Sequence, residues 1–293
     1  MNNLFTGVGI AIVTPFKKDL SVDYDALINI VNYNIENGTD YIVISGTTGE
    51  SVTVTSDEKV KIINTINEAN NNRVPLVLGI GGNNTAQVIT EINQTNFNGI
   101  SAILSVSPYY SKPTQEGILA HYKAISEISP VPIIMYNVPG RTGSNMLPST
   151  TLKLARECEN IIAVKEAAGN MAQYLWLLKD KPSDFLVISG DDDLALPVTL
   201  AGGSGVISVI AQAYPKNFSR MIHLGLERKV DEAYKLHFDF MKIISLIFSE
   251  NNPAGIKALL NELGLCDKTV RLPLVEASTN LQEGLTQFVK AYN

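Results

Sequence analysis

Short apolar runs recur along this chain, each followed by a longer stretch whose apolar positions return every three or four residues. The runs are "VGIAIVTPF" from Val8, "YIVIS" from Tyr41, "PLVLGIG" from Pro75, "SAILSV" from Ser101, "PIIMYN" from Pro132, "IIAVKE" from Ile161, "FLVISG" from Phe185 and "GVISV" from Gly205. They are nearly continuous in Val, Ile and Leu rather than alternating, the pattern of parallel strands covered on both faces. The stretches between them read as helices. "DYDALINIVNYNIENG" closes on Gly38, a C-cap glycine, and "TSDEKVKIINTINEAN" opens with Thr55 and Glu58 at capping-box spacing. Such β–α repetition means a (β/α)8 barrel or a doubly wound sheet, and about eight runs match the strand number of the barrel. After about residue 210 the strand runs stop and every pattern is helical. No Pro/Gly/Ser-rich linker intervenes, so we expect one domain over 1–293: a TIM barrel to about 225, with helices packed on it over about 226–293.

Composition narrows the function classes. The chain has 293 residues, 45% of them hydrophobic, enough for a large core. A net charge of −6 without a Lys/Arg-rich run argues against a nucleic-acid or anionic-membrane partner. No apolar run reaches the length of a membrane span, and "MNNLFTGVGIAIVTPF" has no basic residues ahead of its apolar ones, unlike a secretion signal. Cys158 and Cys266 are far apart and outside any CxxC spacing, which suits free thiols in a cytoplasmic protein. His121, His223 and His237 form no metal-ligand spacing, so no metal is expected.

In a (β/α)8 barrel chemistry gathers at the C-terminal ends of the strands. Those ends carry Thr14, "SGTTGES" (45–51), "GIGGNN", "SPYYSKP" (107–113), "YNVPGRTG" (136–143), Lys165-Glu166, "SGDDD" (189–193) and Ser208. Lys165 is either a lysine released to water as its strand ends or a buried amine kept as a nucleophile. "GTTG" is either a tight turn with Glu50 starting a helix or a cradle of N–H and hydroxyl groups for a carboxylate. Tyr136 suits a core position as well as a site, Arg141 a solvated loop as well as a carboxylate clamp, and Tyr109 and Tyr110 an interface. "GIGGNN" lacks a dinucleotide fingerprint. "GDDD" does not continue into a calcium loop and reads as an exposed acidic helix start.

Taken in order, "SGTTGES", "SPYYSKPTQEG", "YNVPGRTG", "VKEAAGN" and "GVISV" resemble the dihydrodipicolinate synthase / N-acetylneuraminate lyase family from about Phe5 to the C-terminal helices. The resemblance implies a class I aldolase on a (β/α)8 barrel, with pyruvate bound covalently and no metal or organic cofactor. Lys165 then matches the Schiff-base lysine and Tyr136 the proton shuttle. Thr47 and Tyr110 match its relay partners, with Tyr110 reaching in from a neighbouring subunit. Thr48, and the backbone of Ile207, match contacts to the pyruvate carboxylate. Arg141 matches the residue that takes the carboxylate of aspartate semialdehyde. It favours a short charged acceptor over the sugar acids handled by the family's N-acetylneuraminate lyases, the runner-up reading. A non-catalytic keto-acid sensor is a third reading, disfavoured because neither catalytic position is lost. The resemblance also implies a homotetramer built from tight dimers. Of the positions that bind inhibitory lysine in many members, Ser51, Asn83 and Tyr109 keep the pattern, whereas Ser56, Lys59 and Gln87 depart from it. Lys59 would repel a cationic ligand, so weak or absent feedback by lysine is expected.

Overall fold

The computed structural model describes residues 2–292. Eight parallel strands close into a barrel in chain order, β1 pairing with both β2 and β8. The first half runs β1 (Gly7–Ala11), α1 (Tyr24–Glu36), β2 (Tyr41–Ile44), α2 (Ser56–Asn70), β3 (Leu76–Gly79), α3 (Thr85–Gln94), β4 (Ala102–Val106) and α4 (Gln115–Ser126). The second half runs β5 (Ile133–Asn137), the one-turn α5 (Pro139–Thr142), α6 (Pro148–Glu157), β6 (Ile161–Glu166), α7 (Met171–Asp180), β7 (Leu186–Ser189), α8 (Ala195–Leu200), β8 (Gly205–Ser208) and α9 (Pro215–Leu226). Three further helices follow: α10 (Val230–Phe248), α11 (Ala254–Glu262) and α12 (Thr279–Tyr292). The barrel expected from the hydrophobic pattern is therefore present, as are the Thr55–Glu58 capping box and the left-handed Gly38 just beyond α1.

The continuous apolar runs divide their side chains between two cores. One set, with Ile10, Ile42, Leu78, Ile103, Met135 and Val164, packs outward against the helices. The other fills the lumen: Ala11, Tyr41, Val43, Val77, Ala102, Leu104, Ile134, Tyr136, Ala163, Ile188 and Ile207. The floor of the barrel is closed by Tyr41, whose ring lies edge-on to Phe5 at 5.6 Å between centroids. That ring fits only because position 9 is glycine, where a Cβ would lie 2.1 Å from it.

A register shift between β5 and β6 falls at Ile133/Ile134, which pair with Ile161 and Ala163. Ile162 is thereby the extra residue, and Ile162 and Ala163 both pack with the lumen set. Because side chains alternate along a strand, the bulge decides which face every later residue takes. Val164 goes outward, Lys165 inward and Glu166 outward, and Lys165 comes to lie directly beside Tyr136.

Candidate active site

The strand ends open into a cavity of about 690 Å³. Thr47 and Thr48 line it from the β2 turn, Tyr136 from β5, Arg141 from α5, Lys165 from β6 and Asp191 to Asp193 from beyond β7. Met241, Ile244, Ser245 and Phe248 of α10, with Asn252 beyond it, form the wall contributed by the C-terminal helices.

Lys165 is not released to water: it is 5% exposed. Its Nζ stands over the face of Tyr136, 4.5 Å from the ring centroid, and makes no ion pair among the described residues. Gly190 leaves room for it, since a Cβ there would lie 2.9 Å from Lys165 Cε. The Tyr136 side chain is buried too, and its hydroxyl has no hydrogen-bond partner among the described residues.

Behind Lys165, outside the lumen, Glu166 accepts hydrogen bonds from Asn137 Nδ2 at 2.9 and 3.0 Å and from Gln173 Nε2 at 2.9 Å. Burial raises its carboxyl to about 7, against the opposing pull of those amides. Asn137 also accepts from Met146 N at 2.9 Å and reaches Asn145 Oδ1 at 2.8 Å, which fixes the loop carrying Arg141. Arg141 itself is exposed at the cavity wall and has no carboxylate partner among the described residues.

The "GDDD" segment differs from the exposed helix start expected of it. Only Asp193 is exposed; Asp192 is buried, and its carboxylate accepts from Val209 N at 3.1 Å and Ile210 N at 3.0 Å. Burial lifts it to about 6 even so. Asp191, half-buried, accepts from Gly169 N at 2.9 Å and Tyr174 Oη at 3.1 Å. These two carboxylates are spent on backbone N–H groups in the turns after β6 and β8 and on the Tyr174 hydroxyl, an arrangement invisible in a run of three acids.

Glu50 does not start a helix either. It sits in the turn with φ 51°, and its buried carboxylate contacts Lys257 Nζ at 2.5 Å and accepts from Arg271 N at 3.0 Å. Lys257 and Asn252 had no signal in the sequence, because their partners lie more than 200 residues away.

The remaining candidates fall as follows. Ile207 belongs to the lumen set, while the part of the cavity wall that follows β8 is Val209. Tyr110 lies outside the cavity, 90% exposed with φ 69°. Ser51 and Lys59 line a smaller cavity of about 180 Å³, which shares Gly46, Thr47, Leu104 and Tyr136 with the larger one. Lys59 is ion-paired there with Glu91. Asn83 Nδ2 donates to Tyr109 O at 3.2 Å. Both cysteines are free, and among the described residues no cluster of His, Cys, Asp and Glu could hold a metal ion.

Known proteins are similar to this chain along almost its whole length. The 4-hydroxy-tetrahydrodipicolinate synthase of Flavobacterium psychrophilum is 58% identical over 286 residues, covering 98% of each chain. A solved monomeric dihydrodipicolinate synthase variant superposes with TM-score 0.96 at 38% identity, covering 99% of this chain and 97% of its own. The chloride-inhibited dihydrodipicolinate synthase of Acinetobacter baumannii, complexed with pyruvate, superposes with TM-score 0.94 at 38% identity, covering 97% and 98%. Residues 4–292 match the Dihydrodipicolinate synthetase family, and the chain, an eight-stranded barrel with a buried lysine at its mouth, belongs to that family.

Proposed function

We propose that the chain is a Schiff-base lyase that condenses pyruvate with L-aspartate 4-semialdehyde to 4-hydroxy-tetrahydrodipicolinate, the first committed step towards diaminopimelate and lysine. The observation that carries this reading is Lys165, buried against Tyr136 in a cavity whose wall also holds Arg141, which has no ion-pair partner among the described residues. The name shared by the relatives supports this condensation over sugar-acid cleavage.

The chemistry follows from the arrangement. The Lys165 amine attacks the ketone carbon of pyruvate, and loss of water gives an iminium. The iminium draws electrons from the methyl group, which loses a proton to give an enamine. Tyr136, whose hydroxyl is uncommitted beside the lysine, handles that proton and passes it through Thr47 to Tyr110 of the partner subunit. The Thr47–Thr48 turn and the backbone at Ile207 hold the pyruvate carboxylate. Arg141 takes the carboxylate of the semialdehyde in its planar fork and so presents the aldehyde to the enamine. The enamine carbon bonds to the aldehyde carbon, the aldehyde oxygen takes a proton and the Lys165 iminium re-forms. The amino group of the second substrate then adds to the iminium carbon, releasing the Lys165 amine and closing the ring. No metal or organic cofactor has a part in these steps.

The same reading makes the protein a single-domain cytoplasmic homotetramer, a dimer of dimers that places each exposed Tyr110 in a neighbour's site. It also makes feedback by lysine weak or absent: Lys59, in the cavity that Ser51 lines, already holds a positive charge paired with Glu91.

The test is to incubate the enzyme with pyruvate, reduce with borohydride and map the adduct by mass spectrometry. A pyruvyl adduct on Lys165, absent from Lys165→Ala, is expected; an unmodified Lys165 would sink the mechanism.

A further inference from the structure

We infer that Asn252 is a positioning residue of this site: its side-chain amide sets the Thr48 hydroxyl as a hydrogen-bond donor into the cavity, so the C-terminal helices govern how tightly the keto acid's carboxylate is held. The inference deepens the Schiff-base reading and rests on it.

Asn252 lies between α10 and α11, is 6% exposed and lines the cavity. Its Nδ2 donates to Thr48 Oγ1 at 3.0 Å. A threonine hydroxyl has one proton and two lone pairs. With one lone pair occupied by the amide, Thr48 stands as an acceptor towards the helices. Among the described residues nothing accepts its proton, which is left for a ligand in the cavity. A hydroxyl that already accepts a hydrogen bond is also polarised into a better donor.

The other polar atom of Asn252 argues the same way. Its Oδ1 is buried and has no hydrogen-bond partner among the described residues. An unsatisfied buried carbonyl costs stability, and an asparagine kept only for the fold has no reason to carry that cost. Among the described residues, the one bond this side chain makes is to the Thr48 hydroxyl.

The backbone of the turn is held from the same direction. Glu50, two residues beyond Thr48, meets Lys257 Nζ at 2.5 Å and Arg271 N at 3.0 Å, both from beyond α10. From the barrel side, Thr14 Oγ1 donates to Gly49 O at 2.7 Å. The peptide frame is thus fixed by Thr14, Lys257 and Arg271, and the direction of one hydroxyl is left to Asn252.

The test measures the pyruvate concentration that half-saturates borohydride-trapped adduct on Lys165, without the second substrate. It compares the wild type, Asn252→Ala, Asn252→Leu, Thr48→Val, and each Asn252 variant combined with Thr48→Val. An unlabelled wild type would defeat the underlying Schiff-base reading before any variant is compared. With the wild type labelled, Asn252→Ala is expected to raise the half-saturating concentration about tenfold while the adduct yield at saturation is unchanged. Thr48→Val should raise it at least as much, and the double variant should be no worse than Thr48→Val alone. Wild-type behaviour of Asn252→Ala overturns the proposal. So do effects that multiply in the double variant, because Asn252 would then act without the Thr48 hydroxyl. Leucine keeps the shape of asparagine, so Asn252→Leu carries the same comparison if the alanine variant does not fold. Loss of folding in both assigns Asn252 to the fold and also overturns the proposal.

Discussion

Arg141 carries a charge that nothing among the described residues neutralises, at the wall of a cavity whose lysine is itself unpaired. Its loop is held firmly: Asn137 and the Glu166 carboxylate behind it fix Asn145 and Met146. The backbone that carries the guanidinium is therefore fixed, and substitution should remove a contact without collapsing the loop. We expect Arg141→Ala to raise KM for the semialdehyde at least tenfold, roughly the worth of one charge-assisted hydrogen bond. Trapping of pyruvate on Lys165 should be unaffected, and unchanged steady-state kinetics would remove Arg141 from the site. Arg141, Lys165, Tyr136 and the two threonines were legible in the sequence because each ends a strand or opens the loop after one. Asp192, Glu50 and Asn252 were not, since each owes its role to a backbone N–H or side chain remote along the chain.

At the scale of elements, the hydrophobic runs predicted all eight strands, but not the extra residue at Ile162. Without that bulge Lys165 would point to the helices and Glu166 to the lumen, exchanging the nucleophile for a carboxylate. A bulge depends on how two strands pair, and no run of apolar letters records pairing. Helices α2 and α3 offer a second case. Lys59 of α2 reaches Gly79 O at 3.4 Å and pairs with Glu91 of α3, so an ammonium is built into the smaller cavity. A free lysine arriving there meets a like charge with its carboxylate partner already taken. Millimolar lysine is accordingly expected to leave turnover unchanged. Inhibition at sub-millimolar lysine would show that the pair yields to the ligand. Lys59→Ala, which frees Glu91, should make the enzyme more sensitive than the wild type.

Across the whole molecule, the C-terminal helices are more than a layer on the barrel, because α10 and Asn252 supply one wall of the cavity. Their existence was legible from the helical pattern after about residue 210, but their contribution to the site was not. The exposed Tyr110 bears on assembly. If a partner completes the site with it, two inactive variants should rescue each other. Lys165→Ala mixed with Tyr110→Phe under subunit exchange should regain about a quarter of wild-type activity, from mixed dimers with one complete site each. No recovery would place Tyr110 outside the catalytic relay. The closed floor, where Tyr41 and Phe5 plug the barrel below the lumen residues, has its own consequence. Lys165 sits above a plugged floor, in the same cavity that the second reactant must also occupy. We therefore expect a compulsory sequence, keto acid first, with the semialdehyde acting as a stopper above it. Initial-rate plots at varied pyruvate and fixed semialdehyde should show inhibition by excess semialdehyde that more pyruvate relieves, and random addition would mean that the cavity has a second opening.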